Sequence, residues 1–274
     1  MFNLIIGILI RIFSNSYLNV FQKLLTNKGE FSSVINFYTY LGLAIIGIII
    51  TPSPTFSPHL LPYILIMGFL GALGNYFIVK ALSCGDLSTL APINSYKPII
   101  ALLIGILFLK EIPGIREILG ILLIIMGTLL LGATKFLFNR ATCYRFIALI
   151  LLGTEAVFIK KVILLSDINS AFLYWVTTGL FFALIFAVLS KHPLKIQKQN
   201  ISLQFALIIS VALMQYSTNY VFAKINVAYA LALFQLSSII SVFLGVNIFK
   251  EQELMRKILA SIIMLFGAVV IILN

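Results

Sequence analysis

Ten apolar stretches of about 20 residues follow one another along this chain, separated only by short connections. At about 1.5 Å of rise per residue, a helix of that length crosses the hydrocarbon core of a bilayer. The stretches are 4–25, 31–51, 60–81, 87–109, 114–134, 144–165, 168–190, 201–223, 228–249 and 254–273. The sequence is 61% hydrophobic and 10% charged, against about 25% charge in a soluble domain. No water-soluble core absorbs that excess, so lipid is the solvent and the lipid bilayer the main partner. The longest connection, Lys191 to Asn200, is too short to hold an extramembrane domain. The first stretch lacks a basic start and a small-residue cleavage site, so it reads as a retained span rather than a signal peptide.

The formal net charge is +11. Lys and Arg sit mostly between the apolar runs, where they meet lipid headgroups. No basic-aromatic tract stands apart from the spans, so no nucleic-acid partner is expected. Cys84 and Cys143 have no metal-ligand spacing and are expected to stay unpaired. A Walker A motif is absent, as are HExxH, GxSxG and an intramembrane Asp pair. The only histidines, His59 and His192, fall in loops. These absences argue against an enzyme, and no cofactor is expected.

The chain repeats itself. Asn75-Tyr76 and Lys80 recur as Asn219-Tyr220 and Lys224, at an offset of 144. Gly105, Lys110-Glu111, Arg116 and Gly127 recur as Gly245, Lys250-Glu251, Arg256 and Gly267, at an offset of 140. Val20-Phe21 and Lys23 match Val157-Phe158 and Lys160, at an offset of 137. Spans 1–5 thus resemble spans 6–10, with units at 1–138 and 139–274. Five is odd, so the second unit must enter the membrane from the opposite face. The expected fold is an all-α integral membrane protein, with ten transmembrane helices in two inverted five-helix repeats.

Residues 81–131 carry a recognisable pattern: Ala91-Pro92, an apolar run, Phe108, Glu111, then Gly120 and Gly127 on a further helix. This pattern resembles the end of an EamA unit of the drug/metabolite transporter (DMT) superfamily. The second copy keeps Phe249, Glu251 and Gly267 but has no proline in span 9. The resemblance covers nearly the whole chain. It implies a secondary transporter fold without a fixed substrate, because that superfamily moves amino acids, nucleotide sugars, cations and drugs. It also implies that both termini are cytoplasmic. Most Lys and Arg then fall on the far side, against the positive-inside rule; Lys135, Arg140, Arg145, Lys191, Lys195 and Lys198 drive this conflict.

Ionisable groups at bilayer depth cost roughly 2.5–3.5 kcal/mol each on insertion scales. Most here lie at span ends and can snorkel. Arg11, Lys97 and Glu155 cannot. Lys97 and Glu155 are central in spans 4 and 6, near the midplane where inverted-repeat carriers bind substrate. Glu155 would hold a cationic group or a proton, and Lys97 an anionic group. A purely structural Lys97–Glu155 ion pair is the alternative. The repeat partner of Glu155 is Leu18, so this acid is not duplicated. Around Lys97 the chain reads Ala91-Pro92-Ile93-Asn94-Ser95-Tyr96-Lys97-Pro98. The prolines free the carbonyls of Ser88 and Asn94, tolerable in a membrane where they line a wet cavity. Asn94 and Tyr96 join the candidate site on that ground.

Span 1 bears Arg11, Asn15, Asn19 and Gln22 in one helical stripe, which cannot face lipid. Span 3 adds Gly71 and Asn75, span 8 adds Gln215 and Asn219, and span 9 adds Gln235 and Ser238. Asn and Gln also serve as interhelical hydrogen bonders, so packing competes with binding here. Tyr174-Trp175 lie inside span 7, and Trp175 reads as a site wall. Gly120 and Gly127 read as close helix packing, within the chain or in a homodimer.

The leading function is a secondary active transporter for a small polar or zwitterionic metabolite, or a drug-like cation, by import or efflux. Proton coupling and exchange both fit. A channel or a lipid-handling scaffold is the alternative. A composition rich in isoleucine, lysine and asparagine suggests a bacterial inner membrane.

Overall fold

The computed structural model describes residues 2–85, 90–132, 139–237, 239–240 and 254–272. Gly245, the Lys250-Glu251 tail, Lys135, Ser88 and Ser238 lie outside the described residues. The described residues form helices and their connections, with no strand among them. The α-helices are α1 Phe2–Asn27, α2 Ser32–Ile50, α3 Leu61–Cys84, α4 Lys97–Leu109 and α5 Ile115–Gly132, then α6 Arg140–Leu165, α7 Ile168–Leu189, α8 Ile201–Phe222, α9 Val227–Phe234 and α10 Leu254–Ile272. Among the described residues, five segments are long and apolar enough to cross a membrane: Asn3–Asn27, Ser32–Ile50, Pro58–Cys84, Ile168–Leu189 and Lys198–Phe222. Helix α6 is as long as α1, yet it carries Arg140, Arg145, Glu155, Lys160 and Lys161. Cys84 and Cys143 are unpaired.

Helix packing follows the repeat. α1 packs on α8, and α6 on α3. α2 pairs with α7, α4 with α9, and α5 with α10. Exchanging 1 with 6, 2 with 7, and so on maps this pattern onto itself. The two halves therefore interleave, and neither buries its polar stripes alone.

The apolar stretch 87–109 is not one uniform helix among its described residues. Residues Ala91–Tyr96 form a 3₁₀ segment, and α-helix begins at Lys97. Pro92 and Pro98 sit at the starts of these two pieces, where a missing N–H costs nothing. The second repeat breaks at the matching place. α9 ends at Phe234, and Gln235-Leu236 form turns at the 140-residue offset from Ser95-Tyr96. No proline is present there, so the proline signal shows only one of two interruptions.

Where a helix must start sharply, a side chain caps it. Asn139 Oδ1 accepts from Thr142 N at 3.0 Å and starts α6 four residues earlier than the apolar run does. Asp167 begins α7: Oδ1 accepts from Asn169 N and Ser170 N, each at 2.9 Å, and Oδ2 from Ser170 Oγ at 2.5 Å. Partial burial works against the Asp167 carboxylate, but the Ser170 and Asn169 hydrogen bonds outweigh it and hold its pKa below the usual value. Its folded pKa is thus depressed, so its contribution is present at neutral pH. That contribution is lost as pH falls through the acid range. Asp167→Ala should cost about 1 kcal/mol. The check is the thermal midpoint of the detergent-solubilised protein: the gap to wild type should be open at neutral pH and close well below about pH 4.

Candidate functional site

The polar stripes converge on one central cavity. All four stripe residues of α1 line it: Arg11, Asn15, Asn19 and Gln22. α3 contributes Asn75, the 3₁₀ segment Asn94, and α4 Lys97. Arg145, Glu155 and Ala156 come from α6, Trp175 from α7, and Gln215 and Thr218 from α8. Gln235 and Ser237 complete the wall at the second helix interruption. The free volume is about 90 Å³, room for roughly six waters or a small solute.

Glu155 is 5% exposed and accepts from Trp175 Nε1 at 2.5 Å. Gly71 makes that geometry fit: a Cβ there would collide with Glu155 Oε1 and lie 3.0 Å from Trp175 Nε1. Tyr40 packs on Trp175 at 5.2 Å between ring centroids and takes a 2.9 Å hydrogen bond from Asn75 Nδ2. Among the described residues Lys97 and Glu155 form no ion pair, although both line the cavity. The structural ion pair considered from sequence is therefore not made. Lys97 stands at the helix junction and its N–H donates to the Asn94 carbonyl, so that carbonyl, expected to be freed by Pro98, is satisfied within the 3₁₀ turn.

Arg11 is 8% exposed; its Nε donates to Thr218 Oγ1 at 2.7 Å, and its guanidinium lies 4.8 Å over the Phe234 ring. Asn15 Nδ2 donates to Ser237 Oγ at 2.9 Å, and Asn19 Nδ2 to the Asn15 carbonyl at 2.7 Å. Gln235 Nε2 reaches the Leu231 carbonyl at 3.2 Å. Two candidates fall outside the cavity wall. Asn219 sits behind Gln215, accepting from its Nε2 at 2.9 Å. Tyr96 packs instead against the apolar cluster containing Leu82, Leu90, Ile93 and Leu149. The other nine of the eleven candidates line the cavity.

Sequence reasoning missed Arg145. In the sequence it lies at the edge of an apolar run, beside Arg140 and the connection before it. The Asn139 cap starts α6 at Arg140, so Arg145 stands in the second turn of the helix rather than at its edge. It is 1% exposed, and its Nε and Nη1 have no hydrogen-bond partner among the described residues. The available signal was its own register: Arg145 sits close to the repeat counterpart of Arg11, at the offset of 137 from Ile8, one turn away.

The repeated Lys residues tie helix ends. Lys23 Nζ donates to the carbonyls of Leu82 and Gly85, at 2.8 and 2.9 Å. Its counterpart Lys160 donates to the Ile225 carbonyl at 2.7 Å and forms an ion pair with Glu111. Glu111 Oε2 also accepts from Val227 N at 3.0 Å. Glu111 thus joins the end of α4 to α6 and to the start of α9.

Gly120 and Gly127 serve packing inside the chain. A Cβ at Gly120 would lie 2.8 Å from the Gly267 carbonyl, and one at Gly127 2.8 Å from the Ala260 carbonyl, both on α10.

Comparison with known proteins agrees with this architecture. A solved crystal structure superposes with a TM-score of 0.76, covering 99% of this chain and 96% of its own, at 15% identity. That likeness shows the fold. An uncharacterized protein of Methanocaldococcus jannaschii is 36% identical over 76 residues, 28% of this chain. The match spans 56% of that relative's length. The profile of the EamA-like transporter family matches twice, at residues 3–133 and 139–273. Two family units and several apolar helices describe an integral, multi-pass membrane protein, and the chain belongs to the EamA-like transporter family of the DMT superfamily.

Proposed function

We propose that this protein is a secondary active transporter that carries a small polar metabolite through the central cavity by alternating access. Ten helices would span the membrane as two inverted five-helix repeats, 1–138 and 139–274, of a bacterial inner membrane. The observation that carries this reading is the cavity itself. It holds buried charges, and its walls include the helix interruptions of both repeats. Broken helices at a repeat interface leave polar backbone where only a wet path tolerates it.

Glu155 would be the coupling residue, taking a proton or a cationic group, and Lys97 would take an anionic group. Asn15, Asn19, Asn75, Asn94, Gln215 and Gln235 would supply hydrogen bonds, with Trp175 as wall and orienter of Glu155. Asn219 would position Gln215, and Tyr96 would brace the helix junction. The Glu111–Lys160 pair would latch the end of the cavity that carries the α8–α9 turn.

The function test is counterflow in proteoliposomes. A carrier gives saturable uptake that accelerates with substrate inside; unsaturable flux without counterflow would mark a channel. The latch has its own readout. In a background lacking Cys84 and Cys143, a cysteine is placed at Phe222, on the cavity wall beside that turn. Glu111→Gln should speed its labelling by a membrane-impermeant thiol reagent about tenfold, the shift expected from losing about 1.4 kcal/mol. Unchanged labelling would count against the latch.

A further inference from the structure

Among the described residues, the cavity wall carries more positive charge than it neutralises. Arg11, Lys97 and Arg145 face a single carboxylate, Glu155, among the described wall residues. Glu155 is occupied by Trp175 and ion-pairs with none of the three. Among the described residues, Arg145 is 1% exposed with Nε and Nη1 unpartnered, and Arg11 Nη1 is unpartnered at 8% exposure. Buried guanidinium donors without acceptors are costly, and a fold keeps them where a ligand supplies the acceptor. Guanidinium forks match carboxylate and phosphate oxygens in geometry as well as charge.

The two arginines also occupy nearly equivalent places. Each comes from the first helix of its repeat, one turn apart in the alignment. Under inverted symmetry, equivalent positions on α1 and α6 lie toward opposite ends of the path. One guanidinium then stands toward each end, with Lys97 and Glu155 in the central part of their spans.

We propose that the cavity takes small organic anions bearing a carboxylate or phosphate group, with Arg145 and Arg11 as the oxyanion-binding residues. This rests on the central cavity being the transport site. Cationic solutes are then poor ligands, because two excess buried cations repel them. The carboxylate of a zwitterion would bind the guanidinium, leaving its ammonium to Glu155.

The experiment is thermal stabilisation of the purified full-length protein by three probes: succinate, glycerol 3-phosphate and tetraethylammonium. At least one anion should raise the midpoint saturably, and the stronger of the two identifies the headgroup; tetraethylammonium should not. Arg145→Gln should raise the half-saturating anion concentration about tenfold or more, and Arg145→Lys should fall between. Unliganded Arg145→Gln should be no less stable than wild type, because an unpartnered buried charge is removed; a merely structural arginine would lower that midpoint. A shift with tetraethylammonium alone, no shift with either anion, or an anion response unchanged in Arg145→Gln would overturn the anion assignment. An anion response unchanged in both Arg145→Gln and Glu155→Gln would place binding elsewhere and overturn the central-cavity reading itself.

Discussion

Glu155→Gln should lower transport at least about tenfold, the loss that follows from removing one charge-assisted contact of about 1.4 kcal/mol. The same substitution should leave the fold largely intact. The glutamine carbonyl can accept from Trp175 Nε1 where the carboxylate now does, at 2.5 Å. The side chain has the same shape, so the space left by Gly71 still fits it. Removing a charge at bilayer depth relieves a desolvation cost rather than adding one. Uptake in proteoliposomes and the thermal midpoint of the purified variant are measured together. Coupling through the carboxyl also requires that any pH dependence of wild-type uptake disappear. Lost expression, or unchanged pH-dependent uptake, would remove Glu155 from the coupling role. Glu155→Ala is the contrast: it orphans the indole N–H and opens a void, so both stability and transport should fall.

Gly127→Ala should cost about 1–3 kcal/mol and lower the thermal midpoint by about 5 °C. Its new Cβ would lie 2.8 Å from the Ala260 carbonyl and would collide with Met264 Cγ, and a backbone oxygen cannot swing aside. α5 and α10 must therefore separate along their contact. Gly105→Ala is the matched control. Among the described residues its Cβ would meet only Glu111 Oε2, at 3.9 Å, and alanine favours helix over glycine. Equal midpoints for the two variants would show that the α5–α10 approach carries little stability.

The central cavity was legible where polar residues recur at helical spacing. On α1, Arg11, Asn15, Asn19 and Gln22 form a stripe in sequence and one wall in the structure. Such a stripe cannot face lipid, so its direction is forced. Single polar residues gave a weaker signal. Tyr96 and Asn219 lie next to wall residues, yet one packs in an apolar cluster and the other supports Gln215. Their spacing alone does not say which neighbour helix they meet. The Lys-Glu ends, read first as repeat markers, turned out in the first repeat to tie three helices together through Glu111.

Sequence by itself determined the membrane class, the duplication and the presence of charge inside the apolar stretches, at Arg11, Lys97 and Glu155. Those follow from composition and periodicity, which act locally and need no partner. Tertiary structure decided three other things. It placed Arg145 inside the protein, because the Asn139 cap extends α6 backwards. It interrupted the second repeat at Gln235-Leu236 without a proline, because no local residue announces that break. And it sent the Gly120–Gly127 face to α10 within the chain. Each depends on which surfaces meet, and surfaces meet only once the two halves have interleaved.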